Sequence, residues 1–362
     1  MSVISYKCPN CGAELVFDPE TQKLKCEYCL SDFDKDEVEK LTKENTHNTP
    51  GKELVEDSSD SVYYDVPNGG ANLYTCPSCG AEIITEPTTS ATTCWYCHNP
   101  VVFTKQLSEE FRPAMVIPFK KSKEQALETF KAWCSKKKFL PSDFCTPRQF
   151  ENITGLYVPY WLVDCDTNGY LSGTGKKVRS WRSGNYRYTK TDIYSIRRAA
   201  EMSFKYLPHD ASKKAEDKVM ESIAPFDYSD LEDFSYSYLS GFISEKYDVT
   251  KEEVYPLIKQ RVEAAVTKEL RSSVHGYSST SYATQNVQVN RTRFHYVLMP
   301  VWMLTYQYAG KTYLYAMNGQ TGKTYGSMPI SKSKLNRFTI ILFIVLFVIL
   351  LVGILFVGGI QL

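Results

Sequence analysis

The sequence predicts an α+β fold: two N-terminal four-cysteine zinc ribbons, a central antiparallel-sheet domain with helices, and a C-terminal transmembrane helix. Three observations carry this reading. Eight of the eleven cysteines form two sets of identical spacing, blocks of strand pattern alternate with capped amphipathic helices, and a twenty-residue run near the end holds no charge. The expected units are ribbon 1 over 1–33, an acidic flexible linker over 34–70, ribbon 2 over 71–106, the central domain over 107–335 and the anchor over 336–360.

Cys8, Cys11, Cys26 and Cys29 are spaced C-x2-C-x14-C-x2-C, and Cys76, Cys79, Cys94 and Cys97 repeat that spacing 68 residues later. YKCPNCGAE at Tyr6 to Glu14 returns as YTCPSCGAE at Tyr74 to Glu82, so one small module is duplicated. Two residues between cysteines let one tight turn offer two thiolates to one ion, and a second turn completes a tetrahedron of the kind Zn²⁺ takes. Gly12 and Gly80 follow the first pairs, where positive φ is needed. Leu30 and His98 follow the second pairs, which predicts less regular turns there. A module of about thirty residues buries too little core to fold unaided, and a structural zinc ion contributes on the order of 10–16 kcal/mol. With four protein thiolates, neither site keeps an open position for catalysis. Cys134, Cys145 and Cys165 have no metal spacing and read as buried thiols.

Between the ribbons, charge, Ser, Asn and Gly dominate, with a short helix expected near Asp36 to Lys43. In the central region Ser122-x-x-Gln125 is a capping box ahead of Leu127, Phe130 and Trp133. Residues 156–206 read as strands with turns at Asn168-Gly169 and Ser183-Gly184. Residues 212–224 read as helical. Thr250-x-x-Glu253 caps a helix carrying Leu257, Val262, Val266 and Leu270, and strands return from about Tyr282 to Met328. Tyr157-Val-Pro-Tyr-Trp161 resembles Leu298-Met-Pro-Val-Trp302, a second, weaker sign of duplication. Pro159 and Pro300 cannot donate to a ladder and are expected at edges or bulges.

Phe338 to Val357 reads FTIILFIVLFVILLVGILFV. At 1.5 Å per residue, twenty residues span roughly 30 Å, the thickness of a hydrocarbon core. Lys332, Lys334 and Arg337 precede the run, a positive flank that belongs on the cytoplasmic side. With no apolar run in MSVISYKC, the expectation is a tail-anchored, single-pass protein of the cell membrane whose N-terminal region is cytoplasmic, where disulfides are disfavoured.

The net charge of +1 hides an asymmetry. Residues 1–106 hold eight lysines, no arginine and 17 acidic residues, a formal −9; the remainder holds 34 basic and 24 acidic residues, +10. Two Zn–thiolate centres take the N-terminal region to about −13. Nucleic-acid binding needs Lys and Arg on phosphates, so these ribbons read as protein-binding or spacing modules. Asn318-Gly319-Gln-Thr-Gly322-Lys323-Thr324 imitates a phosphate loop, but the position needing the first glycine holds Met317, so a hairpin turn is expected. The segment 176–190 carries six basic residues with Trp181, Tyr186 and Tyr188, and suits an exposed sheet face, anionic lipid or single-stranded nucleic acid. His47, His98, His209, His275 and His295 form no metal or catalytic motif, and we expect no enzyme.

The two C-P-x-C-G knuckles resemble bacterial zinc ribbons of the transcription-factor-IIB type. Together with GLYVPYWLVD at 155–164, YLSGF at 238–242, LMPVW at 298–302 and AMNGQTGK at 316–323, the whole plan resembles a group of tail-anchored bacterial zinc-ribbon proteins. Members are often labelled as similar to a primosomal helicase, a label that rests on the cysteine pairs. The resemblance implies two structural Zn²⁺ ions, a Gram-positive-like host and a role in envelope stress beside flotillin-like (SPFH-domain) or phage-shock proteins. The expectation is a non-enzymatic membrane adaptor whose ribbons recruit a cytoplasmic or membrane protein; the alternative is a membrane-tethered nucleic-acid-binding or transcription-related protein.

Overall fold

A computed structural model describes residues 3–47, 72–107, 111–141, 144, 153–214 and 217–358. Ribbon 1 contains β1 (Val3–Ile4), β2 (Leu15–Asp18), β3 (Lys23–Cys26) and β4 (Asp32–Phe33), and leads into helix α1 (Lys35–His47). Ribbon 2 contains β5 (Asn72–Thr75), β6 (Glu82–Thr85), β7 (Thr89–Thr93) and β8 (Pro100–Phe103). The central region runs β9 (Met115–Val116), α2 (Lys123–Ser135), β10 (Thr154–Ser183), β11 (Tyr186–Asp210), α3 (Asp217–Ile223), β12 (Glu232–Asp233) and β13 (Ile243–Glu245). It continues with α4 (Lys251–Ser272), β14 (Ser279–Tyr308), β15 (Lys311–Asn318) and β16 (Thr324–Gly326), and the final helix is α5 (Lys332–Gly358). The fold is α+β, with two N-terminal four-cysteine clusters, a large central sheet with helices and a C-terminal apolar helix. Cys145 and most of the expected linker lie outside the described residues; the helix expected near Asp36 opens that linker as α1.

Eleven strands form one sheet in the order β1-β8-β7-β13-β10-β14-β15-β16, with β11 also on β10, and with β9 joining β14 to β12. Pairing is antiparallel except for two short parallel contacts, β13 on β10 and β9 on β14. The long strands β10 and β14 pair through most of their length.

Their pairing exposes a pseudo-two-fold repeat. Each half runs short strand, capped helix, long strand, returning strand: β9-α2-β10-β11, then β13-α4-β14-β15. The halves are exchanged. The short strand of each half pairs in parallel with the long strand of the other, two and three residues before its proline: Leu156 and Tyr157 with β13, Val297 and Leu298 with β9. One residue after the proline, the half's own returning strand takes over, at Tyr160↔Asp210 and Val301↔Asn318. Pro159 and Pro300 therefore occupy the joins where the neighbouring strand changes, in the middle of the sheet rather than at its edge. A missing donor costs least at such a join: Pro159 and Pro300 pair with Leu298 and Tyr157 across the β10–β14 ladder, but on the other side no strand residue is registered with either proline. Both proline carbonyls are still used, by Ala211 N–H and Gly319 N–H, each at 2.9 Å.

Asn168-Gly169 is no turn. It lies inside β10, and a Cβ on Gly169 would stand 2.6 Å from Val266 and 2.9 Å from Leu270 of α4. The glycine is there so that helix and strand can approach. Ser183-Gly184 is the hairpin turn, with Gly184 at φ +61. Thr250 and Glu253 complete a reciprocal capping box on α4. Ser122 accepts Gln125 N–H on α2, but the box is not closed: Gln125 Nε2 donates to Glu20 of ribbon 1, and Gln125 Oε1 does not accept the Ser122 N–H. On α4 the buried stripe is Val254, Ile258, Val262, Val266 and Leu270, and Leu257 faces outward. The helix expected over 212–224 is confined to α3. Asn318 closes the β15–β16 hairpin, accepting at its side-chain oxygen the N–H groups of Gln320 and Thr321, as expected of a turn rather than a phosphate loop.

The ribbons are built into this body. Leu15, Phe17 and Leu24 of ribbon 1 belong to the main core. Phe17 N–H donates to Ser240 C=O at 3.1 Å, Ser240 Oγ donates to Leu15 C=O at 2.6 Å, and Phe17 packs edge-on against Tyr238. The YLSGF segment is thus the seat of ribbon 1. Ribbon 2 extends the main sheet, with Ala91 and Thr89 of β7 opposite Ser244 and Glu245 of β13.

Among the described residues one helix, Lys332–Gly353, is long and apolar enough to cross a membrane, and none of it is buried. Ser331 and Lys334 fasten its start to the carbonyls of Phe139 and Leu140. A single-pass membrane protein fits this arrangement.

Candidate metal centres

The chain's four cysteine pairs form four turns with one hydrogen-bond pattern. In each, the first cysteine's N–H reaches the carbonyl five residues on: Cys8 to Ala13, Cys26 to Ser31, Cys76 to Ala81 and Cys94 to Asn99, at 2.6–2.9 Å. In each, that cysteine's carbonyl accepts the N–H four residues on, from Gly12, Leu30, Gly80 and His98. All four of these residues have positive φ, at +75, +60, +74 and +59. The expectation of less regular second turns is therefore corrected. The backbone bonds impose the left-handed conformation whatever the side chain, and Leu30 and His98 carry the strain.

These turns bring together all eight predicted ligands. In each set the four sulfurs lie within 4.8 Å of one another. The Cys8–Cys29 and Cys11–Cys26 sulfurs are 3.5 Å apart; the Cys76–Cys97 and Cys79–Cys94 sulfurs are 3.7 and 3.8 Å apart. A tetrahedron with Zn–S bonds near 2.3 Å has edges of about 3.8 Å, so the donor set and its spacing fit zinc. Within each set the first and third cysteines are buried and the second is exposed.

The thiols are poised unequally. The Ser31 hydroxyl and N–H beside Cys29 hold its thiol down to about 6. Cys94, although burial opposes this, is held near 7 by N–H groups of Cys97 and Tyr96. Burial and the neighbouring sulfurs push Cys97 up to about 12. Binding a metal must displace the protons that remain, so affinity falls as pH falls.

Sequence reasoning found the ligands but missed their supports. Ser31, Asn99 and Glu14 act on the sulfurs or the turns that carry them, and only the 68-residue alignment of the two modules could have flagged them. Cys134 and Cys165 are buried away from both centres, as expected.

The Bacillus subtilis (strain 168) protein described as uncharacterized protein YdjG is 35% identical to this chain over 332 residues, covering 92% of each. This chain belongs to the YdjG family. The match takes in most of the length of both chains. No family model matches the chain, and no solved structure matches it.

Other exposed features surround the centres. The second turn of each ribbon presents aromatic or aliphatic side chains to solvent: Tyr28 and Leu30 in ribbon 1, Trp95 and Tyr96 in ribbon 2. The basic segment 176–190 forms the free tip of the β10–β11 hairpin, beyond the last β14 partner at Lys176. That tip and the start of α5 sit at opposite ends of β14, whose 30 residues span roughly 100 Å.

Proposed function

We propose that this chain is a non-enzymatic, membrane-anchored adaptor whose two ribbons, each holding Zn²⁺, present a recruiting surface for a protein partner. The single observation behind this reading is the placement of Trp95 and Tyr96, 78% and 73% exposed, on the hydrogen-bonded turn between Cys94 and Cys97 of the second cluster. Exposed aromatics are the residue types that anchor protein interfaces. Four cysteines per ion leave no position for a reacting water. Lys332, Lys334 and Arg337, in the first two turns of α5, support a cytoplasmic placement of the ribbons, the side on which such positive flanks are retained. The partner class implied by the family resemblance is a flotillin-like or phage-shock protein in envelope stress.

Proximity labelling in cells with the full-length chain tests this, comparing wild type with Trp95→Ala/Tyr96→Ala. Loss of specific neighbours, with zinc content and abundance kept, supports recruitment through ribbon 2. An unchanged set of neighbours would remove this surface from the proposal.

A second reading, a membrane-tethered nucleic-acid-binding protein, is favoured by one face of the hairpin tip. Trp181 and Tyr188 stack there at 5.7 Å, the next rung pairs Arg179 with Lys190, and Lys177 then lies over Tyr194 and Tyr277. Aromatic faces beside cationic side chains suit bases and phosphates of a single strand, although Asp192 shares this face and pairs with Lys190 at 3.3 Å. Retarded migration of oligothymidylate by the detergent-solubilised chain, weakening with salt and lost in Trp181→Ala/Arg179→Ala, supports it. Absence of binding at low salt ends it.

A further inference from the structure

The two metal centres meet through one carboxylate. Glu14 follows the first turn of ribbon 1, and its side chain is only 8% exposed. Its Oε1 accepts from three donors: Lys7 Nζ, Ser78 Oγ and Asn99 Nδ2, the last at 3.1 Å. Lys7 is the cross-strand neighbour of Glu14 within ribbon 1, and its ammonium also donates to Ser78 at 3.1 Å.

The other two donors belong to ribbon 2, one from each of its turns. Ser78 sits between Cys76 and Cys79. Asn99 supplies the carbonyl that takes Cys94 N–H at 2.8 Å. Glu14 therefore grips both halves of the second thiolate cradle. The duplicated carboxylate, Glu82, is exposed on β6 and makes no such link among the described residues, so the grip is not a by-product of the repeat.

The energetics follow from burial. A carboxylate taken from water needs its hydrogen-bond partners. Glu14 Oε2 is buried without any, so the bonds at Oε1 are all that compensate. Modules of this size draw folding free energy from the ion they hold. Once ribbon 2 loses its ion and its turns loosen, Glu14 keeps Lys7 but loses Ser78 and Asn99, which destabilises ribbon 1. Coupling of this kind is reciprocal.

We propose that Glu14 makes the two zinc centres fill and empty as a pair. This rests on the zinc reading above and names the residue that joins its two sites.

Native mass spectrometry of the full-length chain in detergent, at half-saturating zinc, reads the coupling as the fraction of molecules carrying one ion. Independent equal sites give one-half. Coupling of about 5- to 150-fold lowers that to between roughly 30% and 8%. Wild type is expected in that range and Glu14→Ala near one-half, with Glu82→Ala matching wild type. Asn99→Ala, which removes a donor without touching the carboxylate, is expected to raise the one-ion fraction even if Glu14→Ala folds poorly. A wild-type one-ion fraction of one-half or more overturns the coupling and leaves the two sites standing. Glu14→Ala and Asn99→Ala distributions identical to wild type overturn the role of Glu14. A chain that takes up no zinc overturns both this proposal and the metal reading.

Discussion

Trp161 and Trp302 make the same hydrogen bond to opposite halves of the molecule. The indole N–H of Trp161 donates to Val249 C=O, and that of Trp302 to Lys121 C=O, both at 2.9 Å. Each accepting residue immediately precedes the N-cap of a helix, Thr250 on α4 and Ser122 on α2. Each tryptophan lies two residues after the proline of its long strand. The two bonds lock each half's strand to the other half's helix.

Trp161→Phe and Trp302→Phe should therefore cost similar amounts. Each leaves a carbonyl without its donor beside a buried ring, a loss of about 1–3 kcal/mol. Denaturant unfolding of the two variants in detergent checks this. A large cost at one position and none at the other would break the equivalence.

Gly169→Ala should destabilise by about 1–3 kcal/mol through overpacking against Val266 and Leu270. Its φ is not positive, so backbone strain contributes nothing. Adding Val266→Ala to the variant should recover part of the loss, as measured by thermal unfolding, which strain at a turn would not allow.

Leu30→Gly and His98→Gly should each stabilise their ribbon. Left-handed backbone costs an ordinary residue about 1–2 kcal/mol, and the added freedom of glycine in the unfolded chain returns part of this, for a net gain of roughly 1 kcal/mol. Slower release of zinc to a chelator is the expected readout.

Removing zinc should reach far beyond the ribbons. Ribbon 1 lends Leu15, Phe17 and Leu24 to the main core, and its backbone is bonded to Ser240. Hydrogen exchange of the metal-stripped protein should show lost protection at 238–242. Protection that survives there would mean that the ribbon keeps its place without its ion.

Lowering the pH should release the metal, because protons compete for the thiolates. Ser31 holds the Cys29 thiol down to about 6, so this ligand keeps its charge to lower pH than an ordinary cysteine. Ser31→Ala removes the hydroxyl and should move zinc release to higher pH, followed with a colorimetric zinc reagent.

Much of the candidate site is legible in the order of the amino acids alone. The spacing of Cys8, Cys11, Cys26 and Cys29 and its copy 68 residues on are local patterns, and local patterns survive folding. The cap at Thr250, the turn at Ser183-Gly184 and the apolar run of α5 are legible for the same reason. Asn168-Gly169 misleads because its dipeptide is also a turn signal, and nothing nearby in sequence reveals that α4 presses on it. Leu30 and His98 mislead because side-chain preference at those positions yields to the backbone bonds of the turn.

By itself the sequence determined the ligand sets, the duplicated ribbon, the α+β content and the span of the apolar helix, since each depends on residues within a few turns of one another. Only the tertiary structure decided that ribbon 1 completes the main core, that the two central halves exchange short strands around Pro159 and Pro300, and that Glu14 reaches across to Ser78 and Asn99. Those contacts join residues 64 to 225 positions apart. They are selected by the burial of apolar surface and the pairing of buried polar groups over the whole chain, which no local pattern records.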